Sequence, residues 1–158
     1  MTPSALDGVV RVASEAFPNH PEDRACFADR LRLYPSGCQV LADESGVVAG
    51  YLVAYPWRLD DAPALNARLD ALPETPDVLY LHDLALAQVA QGGGHAKRGV
   101  HLAVQTARDA GLERIALIAV NDAVPFWARQ GFETRHSAKL TTKLASYGSD
   151  AVYMICTV

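Results

Sequence analysis

The sequence holds no run close to the ~18 consecutive apolar residues that span a bilayer. A membrane span is therefore not expected. Its first residues, MTPSALDGVVRVASEAF, lack a basic region ahead of an apolar block and carry Asp7 and Glu15. That pattern speaks against a targeting leader, so a cytoplasmic location is the expectation. Cysteine is scarce: Cys26, Cys38 and Cys156 are odd in number, far apart and without CxxC or Cys/His spacing. Neither a disulfide framework nor a metal site is expected from them. Basic residues are outnumbered, 14 to 18, and form no cluster beyond Lys97-Arg98, leaving a formal net charge of −4. Nucleic acid would need a basic footprint and is excluded as an expected partner. An acidic surface mildly favours a cationic ligand such as an amine.

What is present is apolar. Half of the 158 residues are hydrophobic, enough for one globular domain over residues 1–158. Leu6, Val9, Val10, Ala13, Ala16 and Phe17 recur with helical period over 4–17, with Ser4 as a helix-capping candidate. A second helix is expected over 22–33. The period then changes, and CQVLAD and GVVAGYLVAYPW read as a hairpin around the turn ESG. Residues 58–77 are charged and proline-rich, a surface excursion with a short helical piece expected near 65–72. VLYLHDLALA (78–87) is the most strand-like run, and a helix is expected over about 95–110, stopped by Gly111. RIALIAV, VPFWARQ, GFETRH and AVYMICTV follow as strand, short helix, return strand and final strand, with a loop over 138–150. The order is α-α-β-β-β-α-β-α-β-β. Its β-α-β unit makes strands 78–87 and 114–120 parallel neighbours in an otherwise antiparallel sheet, with helices on both faces.

Gly92, Gly93 and Gly94 stand between the strand-like run and the next helix. Glycine costs roughly 1 kcal/mol against alanine inside a helix, so bare backbone here needs a reason. A glycine-rich strand-to-helix junction leaves several N–H groups unpaired beside the positive end of a helix dipole, which suits a phosphate. The dinucleotide fingerprint GxGxxG fails, because Lys97 stands at its third glycine. The nucleotide P-loop fails because VH follows Gly99 where Lys-Ser/Thr must stand. A plain flexible loop is the remaining bland reading.

The run LALAQVAQGGGHA is more specific. Gln91, Gly94 and Ala96 fit the pattern (Arg/Gln)-x-x-Gly-x-(Gly/Ala), and IAVNDAVPFWARQGF supplies Asn121, Ala123, Phe126, Trp127, Gly131 and Phe132 downstream. Together these resemble the signature of the GNAT superfamily of acyl-CoA N-acyltransferases, over residues 78–132. The resemblance implies an α/β (α+β) domain with a mixed, mostly antiparallel sheet and acetyl-CoA as cofactor. Leu84, Ala85 and Leu86 would lie along the pantetheine arm. Gln91, Gly92, Gly93, Gly94, His95, Ala96 and Lys97 would hold the pyrophosphate, and Asn121, Phe126 and Trp127 would face the cofactor from the other side. Departures from the pattern are Gln88 for proline, His95 for an aliphatic residue, Gly99 for leucine and no opening strand.

The implied reaction is direct attack of a primary amine, borne by a small molecule, peptide or protein, on the thioester. The amine must be neutral, which calls for a base. Asp83 is the nearest carboxylate. His82 precedes it, and strand alternation allows only one of the two to face the site. Trp127 stands where many members carry a tyrosine that protonates the departing thiolate, and an indole N–H is only a hydrogen-bond donor. Tyr147 is the replacement acid, with Tyr51 and Tyr55 behind it. Tyr55, Trp57, Asp60 and Asp61 form an aromatic-and-acid group suited to a cation or to an ordinary loop. The alternative to catalysis is a CoA-binding regulatory or interaction module without acetyl transfer. A homodimer is compatible with either.

Overall fold

A computed structural model describes all residues 1–158. Two helices open the chain, α1 (Leu6–Ala16) and α2 (Arg24–Leu33). The strands β1 (Cys38–Ala42), β2 (Val48–Trp57) and β3 (Val78–Leu86) follow, then α3 (His95–Asp109) and β4 (Arg114–Ala119). The chain ends with α4 (Val124–Arg129), β5 (Glu133–Thr134), α5 (Thr141–Tyr147) and β6 (Val152–Thr157). The six strands form one sheet in the order β1-β2-β3-β4-β6-β5. β3 and β4 are parallel and every other pair is antiparallel.

The sheet separates two apolar layers, because successive strand residues point to opposite faces. On one face Tyr51, Val53, Tyr55, Val78 and Tyr80 pack with Leu6, Val9, Val12 and Phe27 of α1 and α2. On the other, Leu52, Ala54, Leu79, Leu81, Ile115 and Leu117 pack with Val100, Ala103 and Ala107 of α3 and with Trp127. The helices thus lie on both faces, as expected.

Four expectations need correction. Ser4 does not cap α1: a short 3-10 turn, Pro3–Ala5, precedes the helix, and the Ser4 hydroxyl pairs with that of Thr2. No helix forms over 65–72, because Asn66 and Asp70 take positive φ values of 54° and 60°, which interrupt a right-handed helix. The return strand shrinks to Glu133–Thr134. The expected loop over 138–150 contains α5; Leu140 just before it and Leu144 within it pack against the α1/α2 layer, and Tyr147 is buried at its end.

The irregular 58–77 segment is held against α2 by polar contacts. Leu69 N–H and Asp70 N–H donate to Asp29 Oδ2, at 2.7 and 3.3 Å, while Arg32 donates to Oδ1 at 2.9 Å. The Asn66 amide group bridges Asp23 in both directions. Burial raises the pKa of Asp29, but the donors from Arg32, Leu69 and Asp70 outweigh it and hold the carboxyl below its ordinary 3.8. A depressed folded pKa stabilises the fold above the unfolded value, and that contribution is lost as pH falls through the folded one. Asp29→Asn is therefore expected to cost about 1–3 kcal/mol near neutral pH. In urea titrations the gap to the parent protein should close as pH drops below 3.8; a gap independent of pH contradicts the assignment.

Candidate active site

The parallel pairing of β3 with β4 is brief. It covers Leu79 with Ile115 and Tyr80 with Ala116, although β3 continues to Leu86 and β4 to Ala119. Beyond that point the two strands splay. β3 stays paired with β2 on its other edge, through Gly50–Leu86, Tyr51–Ala85 and Leu52–Leu84. Ala87 N–H donates to Ala49 O, so by strand alternation the N–H and C=O of Leu84 and Leu86 point away from β2, into the opening. A cavity of about 470 Å³ occupies the opening and extends under α1 and α2.

At its mouth the glycine turn delivers the chain into α3. Gly92 and Gly94 have φ values of +79° and +76°, and a Cβ at either would meet nothing within 4 Å. Glycine is needed there for the left-handed backbone rather than for space. The first bond into α3 is from Arg98 N–H to Gly94 O. The N–H groups of Gly92, Gly93, Gly94, His95, Ala96 and Lys97 have no acceptor within the protein. These bare donors, at the positive end of a 15-residue helix, make an anion site. Gly99 answers a different need: a Cβ there would lie 2.5 Å from Leu84 Cδ1, so a larger residue must displace the Leu84 side chain where α3 meets β3.

The inner floor of the cavity is polar because of a β-bulge. Val53 pairs with Asp83 and Ala54 with Leu81, which leaves His82 as an extra residue on β3. Before the bulge the even-numbered Val78 and Tyr80 face the α1/α2 layer, and after it the odd-numbered Ala85 and Ala87 do. His82 and Asp83 therefore face the same side, and both line the cavity. The expectation that only one could do so is corrected: alternation fails wherever a residue is inserted. Glu22, just before α2, completes the group, its Oε2 lying 2.6 Å from His82 Nε2 with each side chain only 4% exposed.

Burial is the largest single influence on each of these groups, yet pairing outweighs it at Glu22 and His82. It would raise the Glu22 pKa, but the charge and hydrogen bond of His82, the Asn66 N–H and Arg30 outweigh it and lower the value to about 2. For His82 burial acts downward, while Asp83 and Glu22 carry the net shift upward, so the pair favours imidazolium beside carboxylate. Asp83 is pushed up, by burial first and by Glu22, against the opposing effects of His82 and the Tyr51 hydroxyl, which donates to Asp83 at 2.9 Å. Burial pushes Tyr147 up as well, and its hydroxyl donates to Pro63 O at 3.0 Å. Cys26 and Cys38 are buried with raised pKa values, so neither is a primed nucleophile.

Of the residues singled out in the sequence, Leu84, Ala85, Leu86, Gln91, Ala96, Asn121, Phe126 and Trp127 line the cavity, as do Asp83 and Tyr147. Gly92, Gly93, Gly94, His95 and Lys97 form the turn at its mouth. Asn121 takes φ +54° and its side chain donates to Ala16 O at the end of α1. Trp127 is nearly buried, edge-on to Phe126 and Phe132. The Tyr55, Trp57, Asp60 and Asp61 group does not line the opening: Tyr55 is fully buried, and Asp60 is clasped by two 2.7 Å bonds from Arg135. Sequence reading missed Glu22 and His20, which line the cavity from the α1–α2 connection. Glu22 gave no signal beyond being an acidic residue near a helix start.

The acetyltransferase (GNAT) family model matches residues 6–132. The chain belongs to the GNAT acetyltransferase family. Among solved structures, a GNAT-like decarboxylase, GphF, in complex with isobutyryl-CoA superposes with TM-score 0.76 at 18% identity, over 99% of this chain and 96% of that one. Naa20 from Chaetomium thermophilum, in complex with a bisubstrate analogue, gives 0.74 at 15% identity, over 100% and 84%. Ard1 from Thermoplasma volcanium gives 0.73 at 16%, over 100% and 94%. At these identities the likeness establishes the GNAT fold. No curated protein matches the sequence. No helix is long and apolar enough to cross a membrane.

The close approach of this GNAT chain's α3 to β3 gives a direct check. Gly99→Val gains only tenths of a kcal/mol in helix propensity. Forcing its side chain against Leu84 costs about 1–3 kcal/mol. Urea unfolding is expected to show a net loss of about 1–2 kcal/mol; unchanged or higher stability contradicts the packing described.

Proposed function

We propose that this protein is an N-acetyltransferase that moves an acetyl group from acetyl-CoA to a primary amine of a small molecule, peptide or protein, by direct attack. The observation that carries this reading is the set of unpartnered N–H groups from Gly92 to Lys97, set at the mouth of a cleft whose far end holds buried acid–base groups. Such donors fit a diphosphate. The free edge of β3 at Leu84 and Leu86 fits the amide groups of an extended arm, in the manner of an added strand. Phe126 and Trp127 close the opposite wall.

Bound acetyl-CoA supplies an activated acyl carbonyl. The chain supplies the rest. The outward N–H of Leu86 is placed to polarise a carbonyl lying along β3. Asp83 takes a proton from the incoming ammonium, directly or through water. Burial suits it to the task by raising its proton affinity, and Tyr51 fixes its orientation. Because Trp127 is packed between two phenylalanines and donates only a hydrogen bond, Tyr147 is assigned the proton transfer to the leaving thiolate, its oxygen regaining a proton from the acylated nitrogen through water. For that its hydroxyl must exchange Pro63 O for the ligand. One feature favours a second reading, CoA binding without transfer: the only hydroxyl offered as acid is already engaged.

Free-thiol release with acetyl-CoA and a panel of amines separates the two. Transfer requires acceptor-dependent release. Asp83→Asn is expected to lower its kcat about a hundred- to ten-thousand-fold while CoA still raises the melting temperature. Full activity in that variant rejects Asp83 as the base, and thermal stabilisation without release in the parent favours the binding module. Gly94→Glu should abolish the stabilisation, which for the parent is about 2.7 kcal/mol at a hundred times Kd. Gly94→Ala, with the same backbone demand but no charge, separates strain from repulsion. Normal CoA binding by the glutamate variant contradicts the placement of the diphosphate.

A further inference from the structure

We propose that Glu22, Cys26 and His82 form a binding site for a divalent transition metal of the zinc type, at the inner floor of the cavity. Glu22 and Cys26 stand four residues apart, but His82 is sixty residues from Glu22, so the sequence alone does not group the three. The fold brings their donor atoms, a carboxylate oxygen, a sulfur and an imidazole nitrogen, all within 4.8 Å of one another. Cys26 Sγ lies 3.3 Å from Glu22 Oε1, and His82 Nε2 lies 2.6 Å from Glu22 Oε2. Tetrahedral zinc, with bonds of 2.0–2.3 Å, needs ligand atoms roughly 3.3–3.7 Å apart. Adjustments of about 1 Å convert one arrangement into the other.

The donor set selects the metal. Sulfur and imidazole exclude the hard, oxygen-loving magnesium and calcium, and a mixed S/N/O triad suits zinc or cobalt. On binding, the Cys26 thiol and the His82 imidazolium each release a proton to solvent, and the carboxylate and thiolate then cancel the charge of a dication. That leaves Asp83 to offset the buried Arg30, whose Nη1 donates to Cys26 O. Glu22 lies near the end of the α1–α2 connection, Cys26 sits in the first turn of α2, and His82 is the bulge residue of a central strand. Asn66 N–H, 2.8 Å from Glu22 Oε1, orients the carboxylate as outer contacts of metal ligands do. Glu22 and His82 line the cavity and Cys26 lies behind them, so the open coordination position faces the cavity. Three protein ligands with one open position is the arrangement of zinc sites that bind water or substrate. This site does not depend on acetyl transfer or on CoA.

The test is to titrate chelator-treated protein with cobalt(II), then with zinc. One equivalent of cobalt should produce a thiolate-to-cobalt charge-transfer band, and zinc should displace it and raise the melting temperature. Cys26→Ser should abolish the band and weaken zinc at least about tenfold. No band and no thermal shift overturns the site and leaves Glu22 and His82 as an ion pair with a buried thiol beside it. A band that persists in Cys26→Ser overturns it too, by placing the metal elsewhere. If that variant does not fold, anomalous scattering at the zinc edge from a soaked parent crystal decides: a peak within bonding distance of all three residues supports the site, and none there refutes it.

Discussion

The constraint on which this molecule turns is the early parting of β3 and β4. A parallel pair that kept its ladder to the strand ends would satisfy every main-chain group and leave no opening. Here pairing ends after Tyr80 and Ala116, and the backbone of Leu84 and Leu86 faces a gap instead of a strand, with only Leu86 O met, by a 3.4 Å bond from Gln91 Nε2. Unpaired main chain inside a protein is costly unless something meets it. The donors between Gly92 and Lys97 lie largely exposed, so water meets them until an anion takes its place. Both sets of unsatisfied groups open onto one cleft, which is why a single elongated ligand with amides and a diphosphate accounts for them together.

A second, smaller irregularity makes the inner wall of the cleft polar. The extra residue at His82 inverts the facing of β3, so that two consecutive polar side chains point into the α1/α2 layer. Without the bulge one of them would lie among Leu79, Leu81 and the α3 side chains, an apolar layer with no partner for it. With it, His82 meets Glu22 and Asp83 meets Tyr51, and the innermost wall becomes a cluster of paired charges and hydroxyls. Buried charges persist only when paired in this way.

Much of the frame was legible in the sequence, and the exceptions have physical causes. The period-2 and period-3.6 patterns gave the hairpin, β3, α3 and β4 close to their observed ends. The glycine turn was legible because its need is for backbone conformation, which residue type reports directly. Gly99, an oddity in the sequence, is explained by Leu84 against its Cα. α5 was missed although Leu140, Leu144 and Tyr147 have helical spacing, because two threonines and a lysine dilute a seven-residue segment. The 65–72 helix failed because Asn66 and Asp70 turn the chain the other way. Asp83 could be reached by proximity to the glycine motif. Glu22 could not, since its role arises from the crossing of α2 over the bulge, a tertiary event. Alternation also misled at His82, since nothing in VLYLHDLALA marks an inserted residue.

The central claim is that the bare amides opening α3 are the anchor for a diphosphate, and amide-resolved NMR tests it most directly. On titrating CoA into the labelled protein, the account predicts that Gly92, Gly93, Gly94, His95, Ala96 and Lys97 show the largest amide shifts, downfield as they gain acceptors, with Leu84 and Leu86 following. A titration that leaves those amides unmoved, whether or not others respond, contradicts it.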